Sequence, residues 1–271
     1  MIQVPDVTSY KALLRGSRER CGKLAGNCLL MTSAIAAFAG AERLYAEELD
    51  AGVAFYVDEG RYYNLYYFLA PHGILQIEQK DKPVIAEVLK SASGGSGDAA
   101  ERLSGGGFVL HKTNLQMVCD PVEVTRDRAV ALAEPYSFGM CEEGDKEAVF
   151  ALWREHLDVT DVPEEHFHPA PDDRIACIYD ASGRVAAAHW WHNSGRISEG
   201  RHTVTQPGHY RKGLASVLLS RWIEDAKKAG CSRCYTWVSD RNERSLAMYQ
   251  KNGFFHNGKI SRQYLLQAKG E

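Results

Sequence analysis

The sequence has no basic excess: 32 Lys and Arg stand against 35 Asp and Glu, a net charge of −3. A broad nucleic-acid surface is therefore not expected, because neutralising phosphates needs a positive balance. No apolar run approaches the roughly 20 residues that span a bilayer. The stretch "NCLLMTSAIAAFAGA" (27–41) is too short and reads as a buried helix. No basic stretch followed by an apolar one opens the chain, so no leader is expected. The pair Cys231 and Cys234 lacks a second Cys or His pair to complete a zinc set, and no metal is expected. It reads as two ordinary part-buried cysteines at a strand start. The seven cysteines (21, 28, 119, 141, 177, 231 and 234) are odd in number and scattered. That is the usage of reduced thiols in a cytoplasm. No strand-GxGxxG-helix unit is present either, and the "GSG" at 95–97 leads into no long helix, so it does not read as a nucleotide loop.

What remains is a soluble globular composition, 45% hydrophobic and 25% charged over 271 residues. Such a length suits one large domain or two of ordinary size. In the first half, tyrosine-rich "VDEGRYYNLYYFL" (57–69) is followed by strand candidates at 73–77 and 83–89. The stretch 91–108 reads as a flexible loop, a short helix and a glycine-rich turn, and 108–118 as a strand. A second unit begins near Tyr136. Its helix at 145–157 puts Val149, Leu152, Trp153, His156 and Leu157 on one face. Strands at 174–180 and 184–193 are joined by the hairpin signal Asp180-Ala-Ser-Gly183. A third strand, 196–205, stops before Pro207. From Leu214, apolar residues recur at Val217, Leu218, Trp222, Ile223 and Ala226, and Gly230 ends that helix. A strand at 234–239, a helix at 241–252 closed by Gly253, and two strand-like pieces, "FF" and "ISRQYLLQ", complete the chain. The order implies an α/β (α+β) fold on a mixed sheet. Two domains are expected, 1–135 and 136–271.

The stretch "HYRKGLAS" (209–216) lies between the Pro207 turn and the strongest helix. The first turn of a helix has unpaired N–H groups and a partial positive charge, which suit phosphate oxygens. Gly213 and Ala215 are small enough for close approach, and Arg211 and Lys212 add charge. The alternative is an ordinary charged helix start.

At these residues the chain resembles the GCN5-related N-acetyltransferases. Their signature, Q/R-x-x-G-x-G/A after a strand and a proline turn, corresponds to Tyr210-Arg211-Lys212-Gly213-Leu214-Ala215 after Thr205-Gln206-Pro207. Tyr210 stands where the family has Gln or Arg. A second signature follows the next strand: Asn242, Ser245, Tyr249 and Gly253-Phe254, in the family's order. The resemblance implies a mostly antiparallel mixed sheet flanked by helices for 136–271. The first half loosely resembles a degenerate, non-catalytic copy; an unrelated α/β domain shaping the cleft is the alternative.

The resemblance also implies function. Acetyl-CoA would donate an acetyl group to a primary amine of a small molecule or peptide. Its pyrophosphate would lie on the backbone of Arg211, Lys212, Gly213, Leu214 and Ala215, with Tyr210 and Ser216 flanking. Thr203, Val204 and Thr205 would pair with its pantetheine arm, as an added strand does. Asn242 and Ser245 would touch the cofactor; a helix cap and a water-facing serine are their plainer roles. Tyr249 would protonate the leaving thiolate; a core aromatic is its plainer role. Candidate bases for the amine are Glu199, His202, His189 and His192, with Glu199 foremost. Glu199, Arg201 and Thr203 share strand parity and are expected on one face. "HWWH" (189–192) also fits a packed aromatic strand. Two rival functions stay open, a non-catalytic CoA-binding sensor or interaction module and a transferase of longer acyl groups. A cytoplasmic protein is expected, without nucleic-acid or membrane partners, and with a homodimer left open.

Overall fold

The computed structural model describes residues 1–27, 30–90, 97–124, 131–158 and 173–270. Cys28 and the loop expected at 91–96 lie outside them. The first elements are β1 (Ile2–Gln3), α1 (Val7–Cys21), β2 (Ala25–Gly26), α2 (Thr32–Gly40), β3 (Leu44–Leu49), β4 (Gly52–Asp58), β5 (Tyr63–Leu69) and β6 (Val84–Lys90). Next come α3 (Gly97–Gly105), β7 (Val109–Cys119), α4 (Pro121–Val124), β8 (Ser137–Met140), α5 (Lys146–His156), β9 (Asp173–Tyr179), β10 (Val185–Ser194) and β11 (Ile197–Thr205). The last are α6 (Leu214–Lys228), β12 (Arg233–Ser239), α7 (Glu243–Lys251) and β13 (Phe255–Leu266).

The chain forms two compact units. Contacts group residues 114–124 with the second unit and 259–270 with the first, on the far sides of the 135/136 division expected from the sequence. The first unit has strand order β1-β3-β4-β5-β6-β13, with β2 on β5. Strand β4 is buried on both faces. Ala54 and Tyr56 point into a core with Leu103 and Phe108, while Val53, Phe55 and Val57 point into one with Tyr10 and Ile35. That split is the two-residue period of a strand. Helix α1 starts where the Asp6 carboxylate accepts from Ser9 N at 2.7 Å.

The second unit has order β7-β12-β11-β10-β9-β8, antiparallel except for β11 and β12. Ala176 and Ile178 of β9 pack with α6; Ile175 and Cys177 face α5. The amphipathic stripe of α6 buries Leu214, Val217, Leu218, Leu219, Trp222, Ile223 and Ala226. The result is the mixed sheet that the element order implied, mostly antiparallel and flanked by helices as the resemblance implied. No helix among the described residues is long and apolar enough to cross a membrane.

Three expectations change. Residues 73–77 form no strand: Leu75 N donates to Arg102 O at 3.2 Å and the Leu75 side chain is fully buried, so the segment docks on α3. The helix expected over 27–41 spans only 32–40 and buries one side, through Ile35 and Ala39. The two C-terminal strand pieces are one strand, β13, whose 260–266 portion pairs continuously with β6.

Candidate functional site

Strand β11 positions the site. Its parallel pairing with β12 runs from Ile197↔Arg233 to Gly200↔Thr236 and stops, although β11 continues to Thr205 and β12 to Ser239. On the other edge Trp191 pairs with Gly200 and Trp190 with His202, so Arg201 is an extra residue. Such a bulge bends a strand and adds twist. Beyond it, the β12-facing backbone groups of 201–205 have no strand partner among the described residues.

The bulge also overturns the parity expected of Glu199, Arg201 and Thr203. Thr203 Oγ1 lies 2.7 Å from His189 Nδ1, and His189 stacks on Trp191 in the α6 core. Arg201 lies over the Trp190 ring at 4.6 Å, and Trp190 belongs to the α5 core. Glu199 and Arg201 therefore share a face that Thr203 does not.

At the end of β11 a 3-10 turn (Pro207–His209) leads to Arg211 and Gly213, both left-handed, with φ of +63° and +79°. Gly213 caps α6 without a side chain, and the first intrahelical bond is Val217 N to Gly213 O. The N–H groups of Leu214, Ala215 and Ser216 thus lack intrahelical partners. A Cβ on Gly213 would meet nothing within 4 Å, so the space before the helix is open. Lys212 Nζ donates to Tyr136 Oη at 2.9 Å, and that hydroxyl contacts His209 Nδ1 at 2.8 Å. Tyr210 is a platform for the Arg244 guanidinium, 4.4 Å from its ring. Ser216 Oγ accepts from Asn252 at 3.1 Å, and Leu214 and Val204 are buried, Val204 pairing with Ala188 of β10.

Helix α7 brings Tyr249 to β11. Its hydroxyl lies 3.0 Å from Thr203 Oγ1 and its side chain is 4% exposed. Burial raises its pKa, so it holds its proton through the neutral range. Asn242 caps α7, accepting from Ser245 N at 3.0 Å, and Ser245 is half-buried.

The four candidate bases separate. His189 is fully buried, and burial pushes its imidazole down to about 3. His202 packs against Trp153 and Trp190, with centroids at 5.5 and 5.4 Å. His192 and Glu199 sit opposite each other in a row across four strands, Asp173-His192-Glu199-Tyr235. His192 Nδ1 contacts Asp173 Oδ1 at 2.9 Å, while Arg201 lies 3.5 Å from Asp173 and 3.6 Å from Glu199. Burial and the neighbouring Glu199 raise the Tyr235 pKa. Sequence reasoning missed Tyr136, Arg244 and Asp173, whose contacts join residues far apart in the chain.

Cys234 is buried opposite Cys119, and its pKa is raised by that neighbour and by burial. Cys231 Sγ contacts Gly195 O at 3.8 Å, and burial raises its pKa too. Neither favours the reactive thiolate. Among the described residues, no group of three or more His, Cys, Asp or Glu side chains is arranged to hold a metal.

Residues 131–254 match the model described as "Acetyltransferase (GNAT) family". Among solved structures, the fold is similar to a GCN5-related N-acetyltransferase from Kribbella flavida. The TM-score is 0.57 at 15% identity, covering 83% of this chain and 90% of that one. It is also similar to a tandem GNAT protein from the clavulanic acid biosynthesis pathway (TM-score 0.56, 14% identity, 82% and 80% covered). A third is a GCN5-related N-acetyltransferase from Sphaerobacter thermophilus (TM-score 0.53, 12% identity, 80% and 77% covered). No curated protein matches the sequence.

Proposed function

We propose that this chain, whose residues 131–254 form a domain of the acetyltransferase (GNAT) family, is an acetyl-CoA-dependent N-acetyltransferase acting on a primary amine of a small molecule or peptide. The family's fold supports acyl-CoA-dependent acetyl transfer in general. One observation carries the reading for this chain. The β11–β12 pairing stops at Gly200↔Thr236, and the N-terminus of α6, which no side chain caps, follows the end of the same strand.

The residues present fit the cosubstrate. On the β12 side the backbone groups of Thr203 and Thr205 face no strand partner among the described residues and suit the amides of a pantetheine arm, while Val204 between them pairs with Ala188 of β10. The N–H groups at the start of α6 and the open space at Gly213 suit a pyrophosphate. Arg211 and Lys212 add positive charge beside it, and Tyr210 with Arg244 borders it. Asn242 and Ser245 contribute where α7 begins, with Asn242 fixing the helix as its cap.

Acetyl-CoA supplies the acetyl group as a thioester. In the transfer the amine nitrogen bonds to the carbonyl carbon and the carbon–sulfur bond breaks. Tyr249 gives its proton to the departing sulfur, and Glu199 takes the proton the amine loses.

Incubation with acetyl-CoA and a panel of primary amines, read as free-thiol release, tests the proposal. Amine-dependent release is expected. Tight CoA binding with no release above hydrolysis on any amine would instead favour a binding module. Competition among acyl-CoA chain lengths separates acetyl transfer from transfer of longer acyl groups.

A further inference from the structure

We infer that His189 and Thr203 form a directed hydrogen-bond chain that turns the Tyr249 proton away from Thr203, making both positioning residues for the acid. The inference rests on the proposed role of Tyr249. The direction follows from one carbonyl. His189 Nδ1 lies 3.2 Å from His202 O, which can only accept, so Nδ1 carries a hydrogen. The same nitrogen lies 2.7 Å from Thr203 Oγ1, which therefore accepts from it. The Thr203 hydroxyl has one hydrogen of its own, and among the described residues its remaining partner is Tyr249 Oη at 3.0 Å. Thr203 thus donates to the tyrosine oxygen, and the tyrosine hydrogen is left for an acceptor other than Thr203, either the neighbouring Thr236 hydroxyl or the departing sulfur.

The surroundings hold this order. His189 is sealed between Trp191 and Trp222, at centroid distances of 5.4 and 5.0 Å. Its Nε2 is buried without a hydrogen-bond partner, which suits the tautomer with hydrogen on Nδ1 alone. Burial keeps the ring neutral, so the donor does not change with pH in the working range. The other titratable group near the chain is Asp225 of α6, which accepts from Trp191 Nε1 at 2.8 Å and Asn193 Nδ2 at 3.0 Å. The His202 ring lies on the opposite face. Burial raises the Tyr249 pKa, while the Thr203 and Thr236 hydroxyls lower it. A donor to the phenolate oxygen stabilises the deprotonated form and makes Tyr249 a better acid.

Thr203→Val removes the donor and keeps the shape; Thr203→Ser restores it. In tyrosine-labelled protein, with Tyr249→Phe assigning the signal, the Tyr249 pKa is expected to rise in Thr203→Val by about one unit. In Thr203→Ser it returns. The basic limb of the kcat profile moves up with it, kcat falls about tenfold, and CoA affinity holds. An unchanged Tyr249 titration in Thr203→Val overturns the chain. The titration needs no turnover, so its failure is distinct from a failure to find acetyl transfer.

Different residues carry a second inference, which also assumes that the cosubstrate arm binds between splayed strands. In the first unit, parallel strands β5 and β6 pair only from Tyr63↔Val84 to Leu65↔Ala86, although both run on. Here the opening is filled by the chain itself. Ala25 and Gly26 pair with Leu69 and Phe68. The Asn27 carboxamide accepts from Tyr67 N at 2.8 Å and donates to Leu65 O at 2.9 Å and Glu87 O at 3.0 Å, bridging both strands. Gly26 lies so close that a Cβ would sit 1.9 Å from Tyr67 O. Between β5 and β6, moreover, residues 70–83 form no helix to offer an anion site. We infer that residues 25–27 occupy the slot of the first unit and close it to CoA, leaving one CoA site per chain, in the second unit.

Hydrogen exchange tests this directly. In the free protein Asn27→Ala is expected to speed exchange of the Tyr67 amide about tenfold or more. Saturating CoA protects 201–205 and leaves 65–69 unchanged. Unchanged Tyr67 exchange in Asn27→Ala, or CoA protection of 65–69, overturns the inference. Absence of CoA protection at 201–205 counts against the proposed function instead.

Discussion

Tyr249→Phe is expected to lower kcat about a hundredfold while CoA affinity stays within about twofold. The substitution removes one oxygen from a side chain that is 4% exposed and packed edge-on to Phe254 at a centroid distance of 5.2 Å. The ring keeps its volume, so no cavity forms. The fold loses the Tyr249 hydroxyl's contacts with Thr203 and Thr236, a cost of about 1 kcal/mol for each hydrogen bond. What the reaction loses is larger. An alkyl thiolate, conjugate to a thiol of pKa about 8.5, is a poor leaving group near neutral pH unless protonated. Burial keeps Tyr249 protonated there, so the proton is present over the whole neutral range. Steady-state kinetics beside calorimetric CoA titration check the split between kcat and binding. Turnover equal to the unsubstituted protein would remove Tyr249 from the chemistry.

Gly213→Glu is expected to weaken CoA binding about a hundredfold, or ~2.7 kcal/mol. Two effects add. At φ +79° any side chain carries strain of about 1 kcal/mol or more. The new carboxylate also stands before the N–H groups of Leu214, Ala215 and Ser216, where it occupies the anion's place and repels it. The space there is open, so the fold itself has room for the side chain. Gly213→Ala carries the strain without the charge and is expected to lose far less affinity. Direct CoA titration of both variants checks the difference. Retained affinity in Gly213→Glu would sink the cradle.

Much of this was legible locally. The stripe of α6 from Leu214 to Ala226, the glycine stop at 230 and the Asn242 cap each depend on neighbours within a few residues, which sequence spacing displays. The order from Pro207 through Gly213 to Tyr249 and Phe254 carried the resemblance to the GCN5-related N-acetyltransferases before any coordinate, and residues 131–254 match that family's model. Hidden were the relations set by register. Local alternation put Glu199, Arg201 and Thr203 on one face, but the extra residue at Arg201 exists only because Trp191 pairs with Gly200 and Trp190 with His202. Likewise Asn27 shows no pattern of its own, and its role appears only where β5 and β6 part. The face a strand residue occupies, and the backbone groups left unpaired, are properties of two strands together. The amino-acid sequence by itself determined most of the elements, α6 and α7 among them, and pointed to the small residues at 213 and 215 and to the candidate acid. Tertiary structure alone decided which side chains meet, because pairing energy is summed across strands distant in sequence.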